Sequence, residues 1–308
     1  MKNIIVSDIH SNIEALLALI KELSIKEVPI DRLLVAGDVV GYGASPNECC
    51  DIIRYLVYGE KAMPLETIHN KILNQPYLDF SGRDTMMNAL ALFEKKCFVI
   101  GGNHDKEAIG EPSLVSEMNP VAKAAADWTH EKLTKENRRF LKNLSMRKKF
   151  GKEGFEIVHS TPAYPRGYEY AKNAGVLKYT SLWSKATFGG HTHRPAAYIY
   201  TKETRMVNAT VLIPTDNYDM RLMLIEKQSN DKEESFTMDS DKDWKYYLNV
   251  GSLGQPRDGN PYGSYVVFDS VSKHVSFKRV PYNTEAASEK IKRAELPKEL
   301  AERILKGV

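Results

Sequence analysis

Five places in the chain bring a carboxylate, an imidazole or a carboxamide to the point where an apolar run stops: Asp8-Ile9-His10, Gly37-Asp38, Gly101-Gly102-Asn103-His104-Asp105, His159, and Gly190-His191-Thr192-His193. Oxygen and nitrogen donors, with no cysteine among them, suit a divalent cation of hard to borderline character. Alternate residues leave an extended chain on the same side, so Asp8 with His10, and His191 with His193, leave a strand end in pairs. Gly37 lets the backbone turn tightly after Ala36 and delivers Asp38 to the same edge, where one carboxylate is able to bridge two cations. Asn103 adds an amide ligand, and the two glycines ahead of it leave room for close approach. Beside it, His104 is placed either as a general acid or as a histidine that only supports a ligand. Each motif alone also reads as an ordinary strand terminus, but five in one chain describe a metal centre. His69, His130 and His274 fall outside these places and are expected to have no functional role.

Such side chains meet only if short strands deliver them to a common edge. Asn3 to Ser7 and Arg32 to Ala36 read as strands, Asn12 to Ile25 and Pro46 to Val57 as helices, and Cys97 to Ile100 as the next core strand. This is the rhythm of an α/β fold, in which ligands gather at the carboxyl ends of the strands. Asn12 and Ser45 are expected to cap the two helices, with Pro46 in the first turn of the second. Tyr58 to Lys96, broken by Pro64, Pro76 and Ser81-Gly82, is longer than a compact connection requires and reads as a partly helical insertion. Pro120 to Thr134 and Glu136 to Leu144 are expected to be helical, and Phe155 to His159 and Ala186 to Gly190 to be strands.

From Ala196 onward the pattern is β-rich, with strands expected at Tyr198 to Tyr200, Arg205 to Leu212, Arg221 to Glu226, Tyr246 to Val250, Ser264 to Phe268 and Val275 to Val280. The polar stretch Gln228 to Asp243 reads as a mobile loop. Asn283 to Arg293 and Pro297 to Lys306 read as amphipathic helices that cover a sheet edge.

At 308 residues and 42% hydrophobic composition the chain can bury a full core. A net charge of +3, with 27% charged residues nearly balanced, gives no surface for nucleic acid or membrane, so an anionic substrate must be attracted locally. No basic stripe with interleaved aromatics argues for a nuclease. No basic-then-apolar leader opens the chain, and no run approaches the about eighteen apolar residues of a membrane span, so a soluble, cytoplasmic protein is expected. Cys49, Cys50 and Cys97 are expected to pack as small apolar residues in a reducing compartment. No feature of the sequence sets an oligomeric state.

The order D-x-H, G-D, G-N-H-D, a strand-end His and G-H-T-H resembles the calcineurin-like metallophosphoesterase superfamily. Gly37-Asp38-Val39-Val40-Gly41-Tyr42-Gly43 with Pro46-Asn47-Glu48, and Asn249-Val250-Gly251-Ser252-Leu253-Gly254-Gln255-Pro256-Arg257-Asp258-Gly259, look like its bacterial and archaeal branch of small phosphoesterases. The resemblance covers most of Met1 to Val57, Lys96 to Arg194 and Asn249 to Tyr282. It implies a four-layer α/β/β/α sandwich of two mixed sheets, with a catalytic domain over 1–282, insertions near 58–96 and 213–244, and a helical extension at 283–308. It implies two divalent metal ions, drawn from Mn, Fe, Zn or Ni: one held by Asp8, His10 and His193, a second by Asn103, His159 and His191, with Asp38 bridging and His104 left free for chemistry.

Three features depart from the family pattern. His159-Ser160-Thr161-Pro162 stands where the branch reads His-Gly-Ser-Pro. Gly41 and Tyr42 replace the second aspartate and the arginine of the G-D-x-V-D-R-G form found in Ser/Thr protein phosphatases and symmetrical dinucleoside tetraphosphatases. The segments Tyr58 to Lys96 and Ile213 to Trp244 are longer than the branch carries.

The chemistry implied is phosphoester hydrolysis, in which two cations roughly 3.5 to 4 Å apart share a hydroxide that attacks phosphorus in line. His104 would protonate the departing alkoxide or steady charge on the phosphoryl oxygens. A small phosphorylated substrate, a phosphodiester or nucleotide, is expected. The alternatives are a phosphomonoester or phosphoprotein phosphatase, or a catalytically silent scaffold. Arg257, in a Gly/Pro-rich turn, either offers a bidentate fork to a phosphate or anchors its loop to a carboxylate. Tyr42 and Asn47 are further candidates to line the pocket.

Overall fold

Alternation along β1 (Lys2–Val6) sets the layering of the molecule. Ile4 and Val6 point into an apolar cluster shared with the helices, whereas Ile5 points into a second cluster between two sheets. β2 (Arg32–Val35) repeats the pattern, with Leu33 and Val35 toward the helices and Leu34 toward the facing sheet. The computed structural model describes residues 1–25, 30–73, 83–111, 118–163, 165, 168, 184–201, 213–215, 218–224, 234–239 and 244–308.

The first sheet runs, edge to edge, β10 (Glu234–Thr237), β13 (His274–Val280), β12 (Gly263–Asp269), β1, β2 and β3 (Cys97–Val99). The second runs β4 (Arg147–Phe150), β5 (Phe155–Val158), β6 (Ala186–Gly189), β11 (Lys245–Asn249), β7 (Ala196–Thr201), β9 (Tyr218–Leu224) and β8 (Ile213–Thr215). Both are mixed. β1, β2 and β3 are parallel in one, and β5, β6 and β11 in the other, so six carboxyl ends are available at one end of the sandwich. Between the sheets lies an aromatic centre, in which the Phe268 ring is 4.9 Å from that of Phe188 and 5.2 Å from that of Phe155. Each such side chain removed from water contributes about 1.5–3 kcal/mol, which fixes the register of the strands that carry the ligands.

The helices are α1 (Ile13–Ile25), α2 (Pro46–Tyr58), α3 (Leu65–Ile68), α4 (Arg83–Leu92), α5 (Asn103–Ala108), α6 (Pro120–Lys132), α7 (Lys135–Lys142), α8 (Thr284–Arg293) and α9 (Lys298–Lys306). Each of these helices, those of the described residues, contributes apolar side chains to the cluster on the outer face of the first sheet. No helix among the described residues covers the outer face of the second sheet. Asn12 caps α1, its Oδ1 accepting from Ala15 N at 3.0 Å. Ser45 occupies the corresponding place before α2, but its hydroxyl makes no capping bond.

Several expectations need correction. α8 and α9 do more than shield an edge: Ala287, Ile291, Leu300 and Ile304 sink into the same cluster as α1. Gln228 to Asp243 is not wholly a loop, because it contains β10, an edge strand held by antiparallel pairing with β13 and by Phe236 over Tyr246. One inward aromatic in four residues is enough for an edge strand, and the polar alternates hide it from a sequence pattern. For the same reason β4, Arg-Lys-Lys-Phe, was not expected. The strand expected at Arg205 to Leu212 lies outside the described residues.

Candidate metal centre

Each ligand motif leaves a parallel strand at its carboxyl end: Asp8 and His10 after β1, Asp38 after β2, Asn103 and His104 at the start of α5 after β3, His159 after β5, His191 and His193 after β6. The two sheets therefore meet through their ligands. Asp8 Oδ1 lies 3.2 Å from His193 Nε2 and 3.5 Å from His10 Nε2, and the two imidazole nitrogens are 3.1 Å apart. Asp38 Oδ2 lies 3.2 Å from His159 Nε2, which is 3.1 Å from Asn103 Oδ1. Asp8, His10 and His193 form one buried group whose ligand atoms lie within 4.8 Å of one another, and Asp38, His159 and His191 form a second.

The outer atoms of these ligands are tied down so that the inner ones converge. His10 Nδ1 is 3.1 Å from Val40 O, His193 Nδ1 is 2.6 Å from Gln255 O, and His159 Nδ1 is 2.9 Å from Ala36 O. Donation from each Nδ1–H to its carbonyl turns each Nε2 toward the centre, the arrangement by which metal-ligating histidines are oriented. One oxygen of each carboxylate accepts a backbone amide, Asp8 Oδ2 from His191 at 2.9 Å and Asp38 Oδ1 from His104 at 2.9 Å. Their other oxygens, Asp8 Oδ1 and Asp38 Oδ2, are buried and accept from no backbone amide; they face the imidazoles of His193 and His159. Buried carboxylate oxygens facing convergent imidazoles fit divalent cations.

Backbone strain accompanies the site. Asp8, His10, Asp38, His191 and His193 all have φ between 49° and 68°, a left-handed conformation unfavourable for side-chain-bearing residues. Gly190 is required by close approach, since a Cβ there would lie 2.1 Å from Asp8 Oδ2.

Electrostatics differ from ligand to ligand. Burial pushes His191 down to about 3 and His193 to about 4, and holds His104 well below its ordinary value. Burial also disfavours charge on His159, but the Asp38 carboxylate outweighs it and lifts the imidazole to about 10. Asp8 and Asp38 are raised by burial, yet the surrounding imidazoles overcome this and keep both well below the usual carboxylate range. Two buried carboxylates held in their charged form at one centre place there negative charge that cations would neutralise.

Of the remaining candidates, Tyr42 is buried beside the centre, its ring 4.7 Å from His10 and 4.3 Å from His104. Arg257 lies over that ring at 5.4 Å. Asn47 is elsewhere: its side chain donates to Lys132 O at 2.9 Å and accepts from Thr134 N at 3.0 Å, bracing α2 against the α6–α7 corner. Two groups of positioning residues escape a ligand-based reading of the sequence. Asp105 accepts from Gly102 N and Val40 N, joining the loops after β3 and β2, and burial followed by Asp38 lifts its carboxyl to about 7. The loop after β11 grips the first motif, through Ser252 Oγ to Asp8 O at 2.8 Å, Gly254 N to Asp8 O at 2.9 Å and Asn249 Nδ2 to Gly190 O at 2.6 Å. Its Gly-rich pattern was visible, but its partners lie more than 50 residues away.

The profile of the calcineurin-like phosphoesterases matches residues 1–195, which include every ligand motif. The chain belongs to this family. It is a metal-dependent hydrolase acting on phosphoester bonds. It is 30% identical to an uncharacterized protein of Methanocaldococcus jannaschii over 98% of this chain and 97% of that one. Its structure is similar to that of a metallophosphoesterase from Sphaerobacter thermophilus, with a TM-score of 0.68 at 27% identity, over 100% of this chain and 99% of the other. A hypothetical protein from Pyrococcus horikoshii OT3 shares the fold, with a TM-score of 0.59 at 18% identity, over 100% of this chain and 98% of that one. Among the described residues no helix is long and apolar enough to cross a membrane.

Proposed function

We propose that the chain hydrolyses a small phosphodiester or nucleotide using two divalent cations. Asp8, His10 and His193 would hold one, Asn103, His159 and His191 would hold the other, and Asp38 would serve both. The observation that carries this reading is Asp38 Oδ2, 3.2 Å from His159 Nε2 and 3.8 Å from His10 Nε2, so that one oxygen faces both clusters. When bound, two cations drawn from Mn, Fe, Zn or Ni would supply Lewis acidity toward a phosphoryl group and activation of water.

The chain's own residues do the remaining work. Val40, Ala36 and Gln255 carbonyls aim three imidazoles, and the amides of His191 and His104 hold the carboxylates in place. The His104 ring, 4.9 Å from His10 and 4.3 Å from Tyr42, is placed to pass a proton to the departing alkoxide or to hold charge on a phosphoryl oxygen. Gly41 and Tyr42, standing where the protein-phosphatase form has Asp and Arg, favour a small substrate over a phosphoprotein. Cys49, Cys50 and Cys97, buried and unbridged, support a reducing, cytoplasmic setting.

The test is to strip the protein with a chelator and restore Mn, Fe(II), Zn, Ni or Mg separately. Metal content and turnover of p-nitrophenyl phosphate and bis-p-nitrophenyl phosphate are then measured, with Asp38→Ala and His104→Ala as controls. Two ions per chain, metal-restored turnover favouring the diester, and loss of turnover in both variants are expected. Two bound ions with no turnover on either ester would remove the catalytic reading.

A further inference from the structure

Beside the metal ligands the chain places a cation of its own. Arg257 follows the tight turn after β11, its backbone N donating to His193 O at 3.2 Å and its guanidinium lying 5.4 Å over the Tyr42 ring. Tyr42 in turn touches His10 and His104. Of the guanidinium's donors, Nη2 is held by Gln255 Oε1 at 2.9 Å, while Nε is buried with no hydrogen bond. No carboxylate among the described residues pairs with Arg257, so the alternative in which this arginine anchors its loop to an acid is not what the fold uses. The loop is fixed by other means. Asp258 pairs with Arg279, and Gly259 N donates to Gly307 O at 2.8 Å, so the end of the chain braces the turn. Arg194 Nε donates to Arg257 O at 2.9 Å.

An arginine held this firmly with a buried donor unused is pre-organised for an anion that arrives from outside, and a guanidinium matches phosphate oxygens better than an ammonium does. The geometry points to Arg257 as the residue that binds a non-bridging oxygen of the phosphoryl group being cleaved, with Tyr42 as the platform that holds its plane. This inference rests on the hydrolytic reading above and deepens it: the phosphoryl group being cleaved is what the site recognises through Arg257.

The experiment uses the full chain loaded with the metal that best restores turnover, comparing wild type with Arg257→Gln and Arg257→Lys. Arg257→Gln is expected to lower kcat/KM about 10- to 100-fold on both p-nitrophenyl phosphate and its bis ester, the range for a hydrogen bond to a charged group. Binding of inorganic phosphate, followed by calorimetry, should weaken to a similar extent with two metal ions retained. Arg257→Lys should recover only part of either loss. Unchanged kcat/KM and unchanged phosphate binding in Arg257→Gln would overturn the proposal. A wild-type protein with no turnover at all would instead count against the hydrolytic reading, and phosphate binding by the loaded chain keeps the two failures apart.

Discussion

The two ligand clusters are built from the same residue types but are not equivalent. In the first, His10 and His193 have their Nδ1 atoms within hydrogen-bond reach of Val40 and Gln255 carbonyls, and burial lowers His193 to about 4, so His193 is ready to offer its Nε2 lone pair to a cation. In the second, Asp38 and His159 form an ion pair at 3.2 Å, and the imidazole holds its proton up to about 10. A cation entering there must displace that proton. One cluster is ready; the other is closed by an internal salt bridge that the metal replaces.

Asp38 tests the comparison most severely because it faces both clusters. Asp38→Ala is expected to reduce metal content below two ions per chain and to cut kcat/KM by more than the roughly 100-fold that losing an orienting partner costs. Elemental analysis with steady-state kinetics reads both, and a variant that kept two ions would show that the clusters do not share this carboxylate. Gly190→Ala and Gly102→Ala separate the clusters, since the new Cβ would lie 2.1 Å from Asp8 Oδ2 in one and 2.1 Å from Asp38 Oδ1 in the other. Each should cost about 1–3 kcal/mol of stability and weaken the cation on its own side. Gly151→Ala, with nothing within 4 Å of its Cβ, is the control. Equal metal loss in all three would sink the idea that close approach matters.

The salt bridge gives a pH signature. His159 has a folded pKa of about 10, above its ordinary value, so the stability it contributes is complete below pH of about 6.5 and is lost as pH rises through 10. Metal-free protein should therefore lose about 2–3 kcal/mol between pH 7 and 9, seen as a falling Tm. Metal-loaded protein, its proton already displaced, should show no such fall. A flat profile for both would mean that the second cluster is as open as the first.

The smallest effect is expected from Gly307→Ala, at the end of the chain and far from either cluster in sequence. Gly307 has φ of 67°, and a Cβ would meet the Asn260 backbone at 2.4 Å, shifting the turn that carries Arg257. KM should rise by a few-fold, about the effect of 1 kcal/mol, with kcat and metal content unchanged. A change in metal content would assign the residue to the clusters instead.

The histidine and aspartate motifs were legible because each is local: an apolar run, a turn and a donor within a few residues. Asn47 misled for the opposite reason. It sits beside a motif in sequence, but its helix carries it to the α6–α7 corner. The edge strands β4 and β10 were hidden because half of an edge strand's pattern belongs to solvent.

By itself the sequence determined the chemical character of the centre, its donors and the parallel strands that end in them. Which donors share a cation was decided only by the tertiary structure, since each cluster takes ligands from both sheets and their meeting depends on the Phe155, Phe188 and Phe268 packing between them. The roles of Asp105, Asn249, Ser252 and Gly307 were decided there too. Their hydrogen bonds reach across the fold to backbone atoms, and a backbone amide or carbonyl carries no mark in the sequence.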